Sequence, residues 1–404
     1  MNHYATTPEK DNSEGRHLAL GRHMIKLGWS TTLLFASTSH PDGKQRLHSR
    51  NIRHLSQVDG VDCVWVRTNA YHRSRLRRIL GIFMFTFNVL LPSTTRGLER
   101  PSAIIGSTVH PLAAWAGKRL ADRYKVPFIF EIRDVWPETL VDLKAIRPES
   151  LVALSLKSIS NYLISAAQLV ISPLPGVSKL IAEGGFVNKG FLWISNGIET
   201  SGAGWVPNVR NHSAFTFMYL GSHGVANALD IVLDAFQLAV SRSARPLRLR
   251  FVGDGPEKLR LLKRAEQLGI GEFVSFERSI ARSRVVSTLQ EADCLVISSL
   301  GLDVYRYGIS ANKLFDYLIS GRPVIAAVAG VYNNPVADAG AGLTVEGGNP
   351  DKLCDAMLEV SQSDLETLNL MGQQGFTHAL NVYSYEALAA KLAKGLDELV
   401  ETDR

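Results

Sequence analysis

Four small or apolar residues, Gly308, Ile309, Ser310 and Ala311, lead into NKLFDYLISG, a stretch with two faces. On a helical wheel Leu314, Phe315, Leu318 and Ile319 fall on one side, and Lys313, Asp316 and Ser320 fall on the other. The first backbone N–H groups of a helix have no intrahelical partners, and together with the helix dipole they favour a phosphate. Lys313 adds a full positive charge. Asp316, about one turn further in, is an acceptor-only side chain suited to sugar hydroxyls. Gly321 ends the helix and Pro323 opens a strand. The chemistry implied is a phosphate held beside a polyol; an ordinary capped surface helix is the competing reading.

These residues need a framework. The 404-residue chain exceeds one ordinary core, so two domains are expected. A hydrophobic content of 46% and a charged content of 20% describe a globular protein. The net charge of +6 suits an anionic partner, either a nucleotide diphosphate or an acidic membrane surface. Cys63, Cys294 and Cys354 lack the spacing of a disulfide framework or a zinc site, which fits a reducing cytoplasm.

Short apolar runs alternate with helical patterns along the whole chain. STTLLFAS (30–37), VDCVWV (61–66), SAIIG (102–106), VPFIFE (126–131), 169–172 and 193–197 read as strands of a first domain. After the Gly, Pro, Asn and Ser-rich segment 201–212, strands at 215–220, 247–252, 273–276, 293–298 and 323–327 read as a second. Such alternation argues for parallel sheets covered on both faces, with a ligand cleft at the strands' carboxyl ends. The boundaries expected are 1–200, 201–380 and a closing helix in 381–404 packing back on the first domain. The opening segment is a polar loop followed by a helix at 14–27, with no strand before it, and the reading expects a first strand to be missing upstream.

Two further features carry chemistry. His110 follows a strand, where open α/β sheets bind ligands. EIRDVWPETL places Glu131, Arg133 and Asp134 beside Trp136 in a loop after another strand, a set suited to an acceptor or to an internal ion pair. Before them, His72, Arg73, Arg75, Arg77 and Arg78 precede ILGIFMFTFNVLL. That run of about 13 residues falls short of the roughly 20 of a spanning helix. It suits a peripheral anchor on an anionic membrane, with Phe83 and Phe85 as the inserting pair, or else a buried core helix. The basic residues are not interleaved with stacking aromatics, so nucleic-acid binding is not expected.

The motifs together resemble the retaining, nucleotide-sugar-dependent glycosyltransferases of family 4. The resemblance rests on HYA at His3, GSTVHP (106–111), EIRDVWPE (131–138), ISNG (194–197), YLGSHGVANALD (219–230), FVGDGPE (251–257), YRYGISANKLFDYLISGRPVI (305–325) and NNPVADAGAGLTV (333–345). EIRDVWPE and YRYGISANKLFDY look most like a subgroup that transfers N-acetylated amino sugars such as N-acetylfucosamine in bacterial surface polysaccharide assembly. The resemblance implies the GT-B fold, two Rossmann-like doubly wound domains. It implies a UDP-sugar donor, a lipid-linked acceptor such as undecaprenyl diphosphate or a glycan, no metal, and a place on the inner face of the cytoplasmic membrane.

Roles follow by resemblance. His110 would face the reacting sugar, and Asp316 matches the acid that binds ribose, usually Glu. The amides of 308–311 would hold the diphosphate. Gly221, Ser222, Asn227, Gly253 and Arg278 would line the nucleotide, with the 276–280 stretch bordering the base. The chain departs from the family pattern at three places. The second acid falls on Gly308, and the basic pair falls on Ser222 and Asn227. Leaving-group charge still needs a fixed counter-charge, so Arg306 and Lys313 are expected to supply it, with Arg133 contributing. A binder that has lost catalysis and a UDP-sugar 2-epimerase are the alternatives.

Overall fold

The computed structural model describes residues 1–5, 15–40, 42–47, 51–72, 74–142, 144–187, 189–200, 202, 204–209, 213–300, 303–328 and 332–402. Most of the opening polar loop, Arg73 and linker residues 201, 203 and 210–212 lie outside these. The chain divides into two compact units, residues 1–196 with 385–404 and residues 197–384.

In the first unit, β1 (Thr32–Ala36), β2 (Arg53–Val58) and β3 (Val61–Val66) pair in the order β1-β3-β2. Then β4 (Ile104–Ser107), β5 (Phe128–Glu131), β6 (Leu169–Ser172) and β7 (Gly190–Trp193) form a parallel sheet in chain order. Residues 1–3 lie between β1 and β4 and bond to both. Asn2 N donates to Leu34 O at 3.0 Å, Ala36 N to His3 O at 3.0 Å, and Ser107 N to Met1 O at 3.0 Å. β2 (RHLSQV) carries no apolar signal, being polar and half-exposed, and the sequence reading leaves it out. What places it is the two-residue turn Asp59-Gly60, at φ 49° and 84°, a combination whose twist matches antiparallel strands.

The helix Arg16–Lys26 and the closing helix Tyr385–Thr402 cover one core of this unit. Leu388, Leu392 and Leu396 pack with Ala19, Leu20 and Met24 and with Ile129, Ile171 and Ile194 of the sheet. The helix Arg75–Leu90 starts at Ser74, whose side chain caps Arg77 N. It buries Phe85 and Val89 against Val64, Val66, Ala113, Ala116 and Leu120. Its other side leaves Leu76, Ile79, Leu80, Phe83 and Phe87 more than half exposed. Phe85, expected as half of an inserting pair, is thus a core residue. From Ile79 onward its helix carries apolar residues on every side, so periodicity could not orient it.

The second unit is one wholly parallel sheet of β8 (Phe215–Leu220), β9 (Leu247–Val252), β10 (Val274–Glu277), β11 (Cys294–Ser298), β12 (Val324–Ala327) and β13 (Gly342–Val345). Its order, β10-β9-β8-β11-β12-β13, is that of the dinucleotide-binding fold. Strand order reverses between β8 and β11, and a crevice opens outside the carboxyl ends of strands at such a switch point. Phe215, Phe217, Phe236 and Phe251 fill the core beneath it, each contributing roughly 1.5–3 kcal/mol of burial.

Candidate functional site

The switch point of the second unit collects most of the residues singled out above. Asn312–Ile319 is the helix that follows β11, with Ala311 as its N-cap. Its Lys313 reaches the loop after β8. Lys313 Nζ donates to Tyr219 OH at 2.8 Å and to Asn227 Oδ1. Tyr219 OH and Asn227 Nδ2 both donate to Ser222 O at 2.8 Å. The ammonium therefore stands against the two positions, Ser222 and Asn227, at which a basic pair is missing. Burial pushes the Lys313 pKa down to about 8, so at neutral pH the side chain still carries its charge. Tyr317 on the same helix ties it to the end of β8, accepting from Leu220 N at 2.7 Å and donating to Leu220 O at 3.0 Å.

Asp316, also on this helix, is buried, and its carboxylate accepts both guanidinium N–H groups of Arg282 at 2.5 Å. Burial raises its pKa against the opposing pull of Arg282. Arg282, in the turn after β10, escapes a sequence reading because nothing local links it to a residue 34 positions away. A ribose diol that uses Asp316 must share the carboxylate with Arg282 or displace it.

The turn before the helix is more occupied than the sequence suggests. Gly308 N donates to Tyr305 O at 2.9 Å and Ile309 N to Asn333 Oδ1 at 2.9 Å. Two of the four amides expected for a diphosphate are thus already paired. Gly308 N and Ile309 N reach a phosphate from this turn only if these bonds open. Gly308 adopts φ 115°, a conformation that disfavours any side chain, so the absent acid has a backbone reason. Arg306 lies exposed on the preceding 3₁₀ turn, its guanidinium 4.8 Å from the Tyr307 ring and bonded to Tyr307 OH at 2.9 Å.

Gly221 and Gly253 bring the loops after β8 and β9 together. A Cβ on Gly253, at φ 144°, would stand 2.0 Å from Gly221 O, so only glycine fits. Ser279 N donates to Asp254 Oδ2 at 3.0 Å, which ties the 276–280 stretch to the same rim; Arg278 is exposed there. His223, fully buried, packs edge-on to Phe251 and Phe276 with ring centroids 6.0 and 6.3 Å away.

In the first unit, residues 1–3 and β4 form the equivalent reversal of strand order. His110 sits just beyond β4 as the N-cap of the helix Pro111–Tyr124. Its Nδ1 accepts from Ala113 N at 3.2 Å and its Nε2 lies 2.6 Å from His3 Nδ1. Burial lowers its pKa to about 3. Both ring nitrogens are therefore spent inside the unit. Glu131 is also spent. It is buried, its Oε1 pairs with Arg16 and its Oε2 lies 2.7 Å from His17 Nε2. Arg16 and His17 hold its carboxyl well below the ordinary range, against the opposing effect of burial. Glu131 thus belongs to the framework under its loop, while Asp134 is exposed and Arg133 half-buried, with Arg133 N bonded to Thr108 Oγ1 at 2.9 Å.

Comparison with known proteins places this geometry. The whole chain shares its fold with a sucrose-phosphate synthase of Thermosynechococcus elongatus (TM-score 0.70, 14% identity, 95% of this chain and 92% of that one). It likewise shares it with HepE of Anabaena in complex with UDP (TM-score 0.66, 14% identity, 98% of each chain). The class is therefore an α/β protein of the GT-B fold, the fold of nucleotide-sugar glycosyltransferases. Residues 214–363, which hold the switch-point site, match the family of glycosyl transferases group 1. The chain is 30% identical over 139 residues to a D-inositol 3-phosphate glycosyltransferase of Corynebacterium glutamicum, covering 34% of this chain and 31% of that protein. It is 28% identical over 159 residues to a GDP-mannose-dependent alpha-(1-6)-phosphatidylinositol monomannoside mannosyltransferase of Mycobacterium tuberculosis, covering 38% and 40%. The chain thus spans 31% and 40% of the length of these two curated relatives.

Proposed function

We propose that this protein is a retaining glycosyltransferase that moves a sugar, of the N-acetylated amino-sugar type, from a UDP-sugar to a lipid-linked or glycan acceptor in cell-surface polysaccharide assembly. One observation carries the reading. Lys313 sets a cation against Ser222 and Asn227 while Asp316, on the same helix, offers a buried carboxylate, and both stand at the switch point between β8 and β11. A diphosphate at the first and a ribose at the second use the chemistry each provides. Departure of UDP then leaves an oxocarbenium-like sugar, which the acceptor hydroxyl attacks on the face the phosphate has left, its proton passing to the departing phosphate oxygen. Positioning and counter-charge, from Lys313 and Arg306 with no metal, do the catalysis.

The test is a thermal-shift screen against UDP, GDP, dTDP and their sugars. A ligand that binds only the folded state stabilises it by about 2.7 kcal/mol at a hundredfold excess over Kd. The expected result is a rise in Tm with UDP and UDP-sugars. A rise with GDP alone, the nucleotide named for the mannosyltransferase relative, would replace UDP, and no rise with any nucleotide would remove the donor reading. Change of the nucleotide sugar without an acceptor would make the protein an epimerase instead.

The acceptor reading has its own support. Among the described residues no helix is long and apolar enough to cross a membrane. The helix Arg75–Leu90 instead turns Leu76, Leu80, Phe83 and Phe87 outward, and Arg75, Arg77 and Arg78 at its start are exposed. Basic residues beside an exposed apolar stripe suit an anionic bilayer surface, which supports a reading in which the protein works on the inner face of the cytoplasmic membrane. Each Phe entering the interface contributes roughly 1.5–3 kcal/mol. Phe83→Asp with Phe87→Asp is expected to lower binding to phosphatidylglycerol vesicles by about a hundredfold or more in a sedimentation assay. Unchanged sedimentation would end the anchor reading.

A further inference from the structure

The outer face of the first unit carries an inference that rests on the membrane reading of the helix Arg75–Leu90 and deepens it. A second helix, Leu151–Ala166, also turns apolar side chains outward. Leu151 is 83% exposed, the highest value of any described large apolar residue, and Val152 and Leu154 are more than half exposed. Tyr162, about three turns on, is exposed on the same side. Ala153, Leu163 and Ile164 are the residues that this helix buries. Exposed apolar residues gathered on one side mark an interaction surface.

The two helices belong to one surface. Both pack on Pro111–Tyr124, the helix between them. Pro111–Tyr124 and Leu151–Ala166 end just before the parallel strands β5 and β6, so both start at the carboxyl ends of the sheet. Arg123 Nη2 donates to Leu90 O at 2.7 Å, which brings the end of Arg75–Leu90 beside the end of Pro111–Tyr124. Their starts meet too, because Arg78 covers Tyr4, whose ring lies 6.4 Å from that of the N-cap His110. The three helices therefore run side by side in one direction. Leu76, Leu80, Trp115, Leu151 and Leu154 all fall in their first halves. Arg16–Lys26 and Tyr385–Thr402 cover a different core, so they leave this face open.

Charge identifies the occupant. The three helices carry seven basic residues and one acidic residue, Asp122, which is paired with Lys118. Their net charge is thus +6, which is that of the whole chain, so the rest of the molecule is neutral on balance. Arg119, exposed, covers the half-buried Trp115 ring at 5.1 Å, and amphipathic aromatics of this kind settle at a headgroup layer. A second copy would set the same positive face against this one, which repels. An anionic bilayer offers the opposite charge and an apolar interior together. We infer that the first unit lies on an anionic bilayer with this whole three-helix face, and that Leu151–Ala166 enters the interface beside Arg75–Leu90. One helix alone leaves the unit free to roll about its axis. Two footholds on either side of Pro111–Tyr124 fix the face it presents, and linked footholds hold more tightly than either one.

Leu151→Gln with Leu154→Gln removes the second foothold without adding charge. Both sites are exposed and Gln forms helix nearly as well as Leu, so the variant is expected to melt with the wild type. Its sedimentation with vesicles of equimolar phosphatidylglycerol and phosphatidylcholine should weaken about tenfold or more. Vesicles of phosphatidylcholine alone should bind the wild type far more weakly, and equal binding to both kinds overturns the anionic assignment. Wild-type binding by the Gln variant overturns the inference. If Phe83→Asp with Phe87→Asp is lost from the same vesicles, the reading of Arg75–Leu90 then stands without it. No sedimentation of the wild type with either vesicle removes both.

A nitroxide label on Leu154→Cys locates the helix directly. Cys63, Cys294 and Cys354 are buried, so the label goes to the new thiol. On binding to the phosphatidylglycerol vesicles, its collisions with oxygen, which concentrates in the bilayer, should rise, and those with a water-soluble nickel chelate should fall. A label that keeps its solution accessibility to both reagents while the protein is vesicle-bound overturns the inference, whatever the Gln variant does.

Discussion

Lys313→Met is expected to lower kcat/KM by about 10²–10³-fold while leaving the fold intact, the range found when one preorganised donor is removed from developing charge. The ammonium bonds to Tyr219 OH and Asn227 Oδ1 and stands where a basic pair is absent, so no neighbouring residue of that loop can take over the charge. Its pH dependence gives an independent check. With the pKa pushed down to about 8, kcat/KM should decline as pH rises through 8, because the neutral amine cannot balance a diphosphate. Stability should move the other way. The unfolded chain holds this proton to about pH 10.4, so between about 8 and 10.4 it binds more protons than the folded chain and stability increases with pH. Steady-state kinetics and urea unfolding across pH 7–10 test both signs. Wild-type activity in Lys313→Met, or a rate flat through pH 8, would refute the role.

Glu131→Gln is expected to cost about 3–5 kcal/mol of stability, the usual loss when one member of a buried ion pair is removed and the other charge stays behind. Arg16 would keep its bond to Ile194 O at 2.6 Å but lose its counter-ion. Acid should have a related effect. The Glu131 pKa lies well below the ordinary value, so its contribution is complete above that value and is lost as pH falls toward the folded pKa. His17, lowered to about 4 chiefly by burial, adds a loss between about 6.5 and 4, where only the unfolded state takes up the proton. Urea midpoints at pH 7 and 5 measure the His17 effect, and a further one at about pH 3.5 adds that of Glu131. A midpoint for Glu131→Gln equal to wild type would show that the pair contributes nothing.

Much of the framework could be read along the chain because it is local. The strands β5, β6, β8 and β11 are apolar runs bounded by turns, and Gly321 and Pro323 mark where a helix stops and a strand starts. The group 1 family match over residues 214–363 falls on the half where these signals are densest. β2 was invisible for the converse reason. A polar, half-exposed strand has no period to detect, and only the Asp59-Gly60 turn marks its place. Phe83 and Phe85 show another limit. In a helical run apolar on every side from Ile79 onward, the core-facing side is chosen by what packs against it, here Val64, Ala113 and Leu120.

The site divides along the same line. Residue types and spacing were enough to nominate Lys313 and Asp316 as a cation and an acid on one helix face, because both lie within one turn of each other. The partners that give them and the histidines their chemistry are distant in sequence. Lys313 and Asn227 are 86 residues apart, Asp316 and Arg282 34, His3 and His110 107, and Arg16 and Glu131 115. Local sequence thus determined which elements form and which side chains they carry. Tertiary structure alone decided which charges are paired, which amides are taken and which nitrogen bears a proton, because burial and hydrogen bonding depend on neighbours that chain order does not specify.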